Sequence, residues 1–224
     1  KEVTVAVIDL PHISNFTDLD PFRLEPDVTL RVAQEPDDLQ RADAIVIPGS
    51  KNVLADLEFL RDSGLAAAIR HVAHEGTAEV VGLCAGLQML GREISDPHRI
   101  ESDRGGRDGL GLLPIGTVMA PSKTLTQVEA THGPSELPVR GYEIHHGRTE
   151  LRDSGVEPAV AREDETVLGY RRKERPVWGS YVHGMFDADR FRRWFIDRLR
   201  ERAGLSPRGE VAACYDLEPA IDRL

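Results

Sequence analysis

One of the chain's two cysteines stands between two glycines, where the sequence changes character. The segment Gly82-Leu83-Cys84-Ala85-Gly86 follows a short apolar run and precedes a helix-like stretch. This pattern of small residues around a nucleophile is typical of a nucleophile elbow, in which a strand turns sharply into a helix. Main-chain N–H groups at a helix N-terminus favour a thiolate and can hold an oxyanion. The alternative is a packed, unreactive thiol, because free cysteine is among the most buried residue types.

A nucleophilic thiol needs a base, and His183 is the candidate, at the end of the apolar run in GSYVHGMFD. A glycine-rich turn, IPGSK at 47–51, can offer the N–H of Gly49 to an oxyanion. His145 and His146 are adjacent on a predicted strand, so their side chains should point to opposite faces. At most one of them should face the site, which disfavours a metal site.

The elements that must position these residues alternate along the first half of the chain. Short β-branched runs predict strands at 3–8, 28–32, 44–47 and 80–83, and apolar periodicity predicts helices at 52–63 and 65–75. This alternation predicts a mostly parallel α/β sheet with helices on both faces. Residues 97–149 instead suggest a small antiparallel portion, followed by strands in TVLGYRR and PVWGSYVHG. A last helix is predicted over 187–203, capped by Asp187 or Asp189.

Composition limits the classes of partner. With 28 Lys and Arg against 38 Asp and Glu, the net charge is −10, and the scattered basic residues argue against nucleic-acid binding. Apolar runs are too short to span a membrane, and two cysteines without a C-x-x-C pair fit a reducing cytoplasm. We expect one domain over residues 1–224, and the short leader suggests a piece of a longer polypeptide.

Taken together, these segments resemble the class I, triad-type glutamine amidotransferases, and more closely the cobyric acid synthase branch of that family. The resemblance covers essentially the whole chain and implies a flavodoxin-like or Rossmann-like fold. The segments that carry it are PHISNFTD (11–18), IPGSKN (47–52), GLCAGLQMLG (82–91), DGLGLLPI (108–115), GYEIHHGRT (141–149) and GSYVHGMFD (179–187).

The resemblance implies hydrolysis of L-glutamine. Cys84 would attack the side-chain carboxamide, and His183 would take the thiol proton and deliver it to the departing ammonia. The amides of Gly49 and Ala85 would hold the oxyanion, and Gln88 would help to bind the substrate. In the family, ammonia passes to an N-terminal ATP-binding synthetase domain, which amidates adenosylcobyrinic acid a,c-diamide on the way to cobalamin.

The resemblance implies that ATP and Mg²⁺ bind to that synthetase domain. The sequence contains no G-x-x-x-x-G-K-[ST] phosphate loop, so we expect neither a cofactor nor a metal in this domain.

The sequence departs from the triad pattern at Met185, where the family usually has a glutamate; the cobyric acid synthase branch also lacks this carboxylate. Asp187 and Glu143 are the candidates to orient His183 in its place. The alternatives are the glutaminase partner of another amidating ligase, such as one acting on peptidoglycan precursors, a cysteine peptidase or chaperone-like relative of the same architecture, and a catalytically silent regulatory domain.

Overall fold

The fold is an α/β arrangement, described by a computed structural model for residues 2–103 and 105–215. The helices are α1 (Val53–Asp62), α2 (Leu65–Glu75), α3 (Ala85–Leu90) and α4 (Asp189–Arg202), and short 3-10 helices cover Phe16–Leu24, Pro36–Leu39 and Met185–Asp187. The strands are β1 (Val3–Ile8), β2 (Ile13–Ser14), β3 (Val28–Ala33), β4 (Ala44–Ile47), β5 (Gly49–Ser50), β6 (Glu79–Leu83), β7 (Glu93–Ser95), β8 (Gly106–Asp108), β9 (Ile115–His132), β10 (Leu137–Leu151), β11 (Val156–Ala161), β12 (Val167–Arg172) and β13 (Val177–Ser180).

The centre of the sheet is parallel. Strands β3, β1, β4, β6 and β13 lie side by side in that order, all parallel to one another. Ile47 is paired with Gly82, and Leu83 with Ser180. This register brings the residues that follow β4, β6 and β13 to one edge of the sheet. The three segments with the candidate residues Gly49, Cys84 and His183 therefore meet there, as expected for the carboxyl ends of parallel strands.

Helices cover both faces of the sheet, which confirms the predicted layer arrangement. Ala6 and Ile8 of β1 belong to a core shared with α1, α2 and α3, whereas Val5 and Val7 belong to a second core shared with α4. Successive residues of a strand point to opposite faces, so both sets of side chains on β1 must be apolar. This explains why the central strands are continuous apolar runs in the sequence.

The ends of the helices follow local signals. Asn52 caps α1 by accepting a hydrogen bond from Ala55 N at 3.1 Å, and α2 lies between two glycines in the left-handed conformation, Gly64 and Gly76. The predicted caps of α4 were wrong. Ala188 occupies the N-cap position without a side-chain hydrogen bond, because Asp189 already lies within the helix and accepts a hydrogen bond from Arg192.

The antiparallel part of the sheet confirms the change in topology after residue 97. It is dominated by a long hairpin of β9 and β10, with 18 and 15 residues respectively. Residues 121 to 127 of β9 are all exposed, and their sequence, PSKTLTQ, has one large apolar residue and therefore no alternation to mark a strand. Within the described residues, no helix combines the length and the apolar character that a membrane crossing requires.

Candidate active site

Cys84 lies on a sharp turn between β6 and α3. Its φ of +52° and ψ of −106° are rare for a residue with a side chain, and such strained backbone clusters at functional sites. Cys84 N donates a hydrogen bond to Ser180 O at 2.7 Å, and the thiol donates to Ile144 O at 3.4 Å. Although the side chain is mostly buried, it borders an open cavity. The strand-to-helix turn predicted from the G-L-C-A-G pattern is present.

The flanking glycines allow the turn to pack tightly. A Cβ atom at Gly86 would overlap the carbonyl oxygen of Ile47 in β4, and a Cβ atom at Gly82 would lie 2.5 Å from the carbonyl carbon of Gly86. The start of α3 is thus pressed against both β4 and β6. Side chains at either position would push Cys84 away from the edge of the sheet.

We expect Gly86→Ala to lower the free energy of unfolding by about 3 kcal/mol or more, because the clash is with main-chain atoms that cannot move aside. Urea denaturation followed by circular dichroism measures this change. Gly133→Ala is the matched control, since its nearest new neighbour would lie at 3.3 Å and it should cost less than about 1 kcal/mol. A loss of less than 1 kcal/mol for Gly86→Ala would contradict the close approach.

His183 is fully buried, and both of its ring nitrogens have partners. Nδ1 lies 2.6 Å from Asp18 Oδ2, and Nε2 lies 3.2 Å from Asn15 Nδ2. The other oxygen of Asp18 accepts the main-chain N–H of Gly184 at 2.9 Å, and the ring of Tyr142 stacks on the imidazole with centroids 5.2 Å apart. The ring is therefore held in one orientation by groups from distant parts of the chain.

The electrostatic setting favours a charged His183. Burial alone lowers the pKa of this imidazole, but the hydrogen bonds and negative charges of Asp18 and Cys84 outweigh it and raise the pKa from 6.5 to about 10. A positively charged imidazole beside a cysteine favours the thiolate, which is the nucleophilic form. The arrangement can therefore support nucleophilic attack by Cys84 with His183 as acid and base.

Asp18 makes the contact with His183 that was expected of Asp187 or Glu143. The pKa of Asp187 is raised to about 6, first by burial and then by the charge of Asp18, so Asp187 lies close to this carboxylate and is repelled by it. Glu143 binds His145 Nε2 at 3.3 Å and Arg162 at 2.6 Å. Neither carboxylate is the partner of His183, and the orienting residue is corrected to Asp18.

A signal for Asp18 was present in the sequence. It ends the PHISNFTD segment that contributed to the family resemblance, and it follows β1, whose carboxyl end lies at the same edge of the sheet as those of β4 and β6. Asp18 and His183 are 165 positions apart, so no local sequence pattern could predict their contact.

Of the two predicted oxyanion donors, Gly49 lies next to His183 and Ala85 lies next to Cys84. Gly49 is paired with Ser14 in a two-stranded sheet of β2 and β5, and a Cβ atom at Gly49 would lie 3.2 Å from His183 Cε1. Ala85 is the first residue of α3, directly after Cys84. The first N–H groups of a helix have no partner within the helix, so the N–H of Ala85 can donate to an oxyanion beside Cys84.

A cavity of about 260 Å³ opens in front of Cys84. Three charged side chains border it: Lys51, Glu101 and Lys123. Burial raises the pKa of Glu101, which accepts a hydrogen bond from Leu54 N at 3.2 Å at the start of α1. Charged groups of both signs around a small cavity fit a small zwitterionic ligand.

Gln88 and the two histidines also border this cavity. Gln88 Nε2 donates to His146 O at 2.9 Å and to Tyr181 Oη at 3.2 Å, which holds its carboxamide in place. Both His145 and His146 contribute to the lining, although at most one was expected to face the site. Alternation separates side chains only; the main chain of the strand also reaches the cavity-lining Gln88, whose Nε2 donates to His146 O.

Comparison with known proteins supports the sequence resemblance. The family model described as "CobB/CobQ-like glutamine amidotransferase domain" matches residues 4–191. Cobyric acid synthase of Nitratidesulfovibrio vulgaris is 43% identical over 255 residues, covering 98% of this chain and 47% of that protein. Adenosylcobalamin biosynthesis bifunctional protein CobDQ of Leptospira interrogans is 43% identical over 224 residues, covering 100% of this chain and 26% of that protein. The chain thus spans less than half the length of these two relatives.

Solved structures support the fold. A crystal structure of a glutamine amidotransferase superposes with a TM-score of 0.65 at 20% identity, covering 90% of this chain and 99% of that one. The structure of PurLQS from Thermotoga maritima gives a TM-score of 0.61 at 16% identity, covering 82% of this chain and 88% of that one. With its elbow cysteine, its α/β sheet and a family model that matches most of its length, the chain belongs to the CobB/CobQ-like glutamine amidotransferase family.

Proposed function

We propose that the chain is a glutaminase domain that hydrolyses L-glutamine to glutamate and ammonia through a thioester on Cys84. The observation that supports this most is the line of groups from Asp18 through His183 to a strained Cys84 that borders a small charged cavity. This arrangement provides a nucleophile, an acid and base, and a residue that orients the base.

The reaction proceeds in two halves. Cys84 Sγ attacks the side-chain carbonyl carbon, and the negative charge that develops on oxygen is held by the amides of Ala85 and Gly49. His183 Nε2 then protonates the amide nitrogen, which leaves as ammonia and gives the thioester. In the second half, neutral His183 takes a proton from water, whose oxygen attacks the thioester and releases glutamate and Cys84.

The charged residues around the cavity match the two ends of an amino acid. Glu101 binds the α-ammonium group of glutamine, and Lys51 and Lys123 bind its α-carboxylate. Both hydrogens of the Gln88 amide nitrogen already have acceptors in the protein, which leaves its carbonyl oxygen to accept from the substrate. A glutamine in this pose directs its side-chain amide toward Cys84.

We expect Glu101→Gln to raise the KM for L-glutamine about 10-fold with a smaller effect on kcat, because it removes a charge that pairs with the ammonium group in both the ground and transition states. Steady-state assays of glutamate release measure both constants. Glu129→Gln, on an exposed part of β9, is the control and should change neither. An unchanged KM in Glu101→Gln would remove this residue from the substrate site.

The ammonia is passed to an ATP-dependent synthetase domain that uses ATP and Mg²⁺ to amidate adenosylcobyrinic acid a,c-diamide, giving cobyric acid. The names of the relatives support this step, as does the fact that they are more than twice as long as this chain. The corrinoid would bind to the synthetase domain, because the described cavity at Cys84 has room only for a small molecule.

The experiment is an assay of glutamate formation from L-glutamine, with and without the synthetase domain and its substrates. We expect glutamate formation in both conditions, and amidation of the corrinoid only when the synthetase domain, ATP and Mg²⁺ are present. Glutamate formation without any coupled amidation would argue for a different ligase partner. An absence of glutamate in both conditions would contradict the glutaminase assignment.

A further inference from the structure

The side chain of Asn15 faces the ring nitrogen of His183 that must exchange protons with Cys84. Asn15 Nδ2 lies 3.2 Å from His183 Nε2, and Asn15 Oδ1 accepts a hydrogen bond from the hydroxyl of Tyr142 at 3.2 Å. The backbone of Asn15 is left-handed, with φ of +50° and ψ of +42°. Asparagine tolerates this conformation better than most residues, which lets the carboxamide reach between the two rings.

The direction of these hydrogen bonds matters. The hydroxyl of Tyr142 donates to Oδ1, so the N–H of the carboxamide points toward Nε2. Burial and the charges of Asp18 and Asp187 raise the pKa of Tyr142, which therefore keeps its proton at neutral pH. An N–H donor can bond Nε2 only when that nitrogen carries a lone pair, so this contact stabilises the neutral imidazole.

Asn15 and Asp18 therefore act on His183 in opposite directions. Asp18 accepts from Nδ1 and favours the charged ring, whereas Asn15 donates to Nε2 and favours the neutral ring. The titratable groups that face the ring are Asp18 from the first 3-10 helix, Cys84 from the elbow and Tyr142 from β10, with Asp187 beside Asp18.

We propose that Asn15 is a positioning residue that stabilises the neutral ring of His183 relative to the imidazolium, by donating to the Nε2 lone pair and so selecting the Nδ1-protonated tautomer whenever the ring is neutral. Asn15 offsets part of the effect of Asp18, so that the imidazolium can still give its proton to ammonia. The consequence for catalysis rests on the proposed glutaminase function, whereas the effect on His183 does not.

The test measures His183 directly in a Cys84→Ala background, where no thiol is next to the imidazole. Two-bond ¹H–¹⁵N spectra of the histidine rings report both the tautomer and the pKa. We expect Asn15→Gly to raise the pKa of His183 by about half a unit or more, since it removes a hydrogen bond to the neutral ring. Glycine keeps the left-handed backbone, so this change isolates the loss of the carboxamide.

Phe16→Ala is the matched control, because Phe16 is the next residue in the chain and is 67% exposed; it should leave the His183 pKa unchanged. A pKa that stays the same or falls in Asn15→Gly would overturn the proposal, as would a Cys84→Ala parent whose neutral His183 carries its proton on Nε2. If Asn15→Gly does not fold, Tyr142→Phe is used instead. It removes the hydroxyl that fixes the direction of the Asn15 carboxamide, so it should also raise the pKa of His183, and an unchanged or lower pKa would overturn the proposal. Failure to release glutamate would contradict the proposed function without affecting these spectra.

Discussion

Replacement of Cys84 by serine is expected to lower glutamate release from L-glutamine by at least about 1000-fold, with the fold retained. Serine is close to cysteine in size and can occupy the same turn. Its hydroxyl is a far weaker nucleophile, because a neighbouring imidazole does not ionise it as it ionises a thiol. Steady-state assays of the two proteins, with circular dichroism as the check on folding, measure the effect.

Cys214→Ser is the control, because Cys214 is exposed and lies outside the described cavity. It should keep the activity of the parent. Iodoacetamide provides a second comparison, since a thiol next to a charged imidazole should be alkylated faster than an ordinary exposed one. If Cys84 and Cys214 react equally slowly, or if Cys84→Ser retains activity, Cys84 is not the nucleophile.

Asp18→Asn is expected to lower kcat by up to about 10⁴, the loss known for the same change at a carboxylate that orients a catalytic histidine. The neutral amide can donate to Nδ1 and so favour the wrong tautomer, and it no longer stabilises the imidazolium. Assays of kcat for Asp18→Asn and Asp187→Asn compare two nearby carboxylates. Because Asp187 is not the partner of Nδ1, its change should lower kcat by less than about 10-fold. A larger loss of kcat in Asp187→Asn than in Asp18→Asn would indicate that Asp187 orients His183.

The same substitution should change the dependence of stability on pH. The folded pKa of His183 is about 10, above its unfolded value of 6.5, so its pairing with Asp18 stabilises the fold below pH 6.5 and this contribution is lost as pH rises through about 10. Asp18→Asn should therefore reduce the free energy of unfolding more at pH 6 than at pH 10.5. Urea denaturation at the two pH values measures the difference, and equal losses at both would contradict the pairing.

Much of the scaffold was predictable because its signals are local. Strand β1 and helix α2 were predicted with their observed bounds, since a buried parallel strand is a continuous apolar run and α2 ends at a glycine. The elbow at Cys84 was predictable for the same reason, because its glycines are adjacent in sequence.

The remaining parts of the site depend on distant contacts. Asn15 and Glu101 lie in loops and Asp18 lies in a short 3-10 helix, so none has a long period to mark it, and only the order of the strands brings them to the Cys84 site. Asp187 was one of two candidates because it lies four positions after His183. In the structure Asp187 ends a 3-10 helix over Met185–Asp187, and Nδ1 of His183 is already bound by Asp18.

The most direct test of the account is mass spectrometry of the protein quenched in acid during turnover of L-glutamine. We predict a mass increase of one γ-glutamyl group on the peptide that contains Cys84. The fraction of protein that carries this adduct should rise with the ratio of the rate of thioester formation to the rate of its hydrolysis. The adduct should be absent from Cys84→Ser. Glutamate release with no adduct on Cys84 under any quench condition, or an adduct on Cys214 alone, would contradict catalysis through a Cys84 thioester.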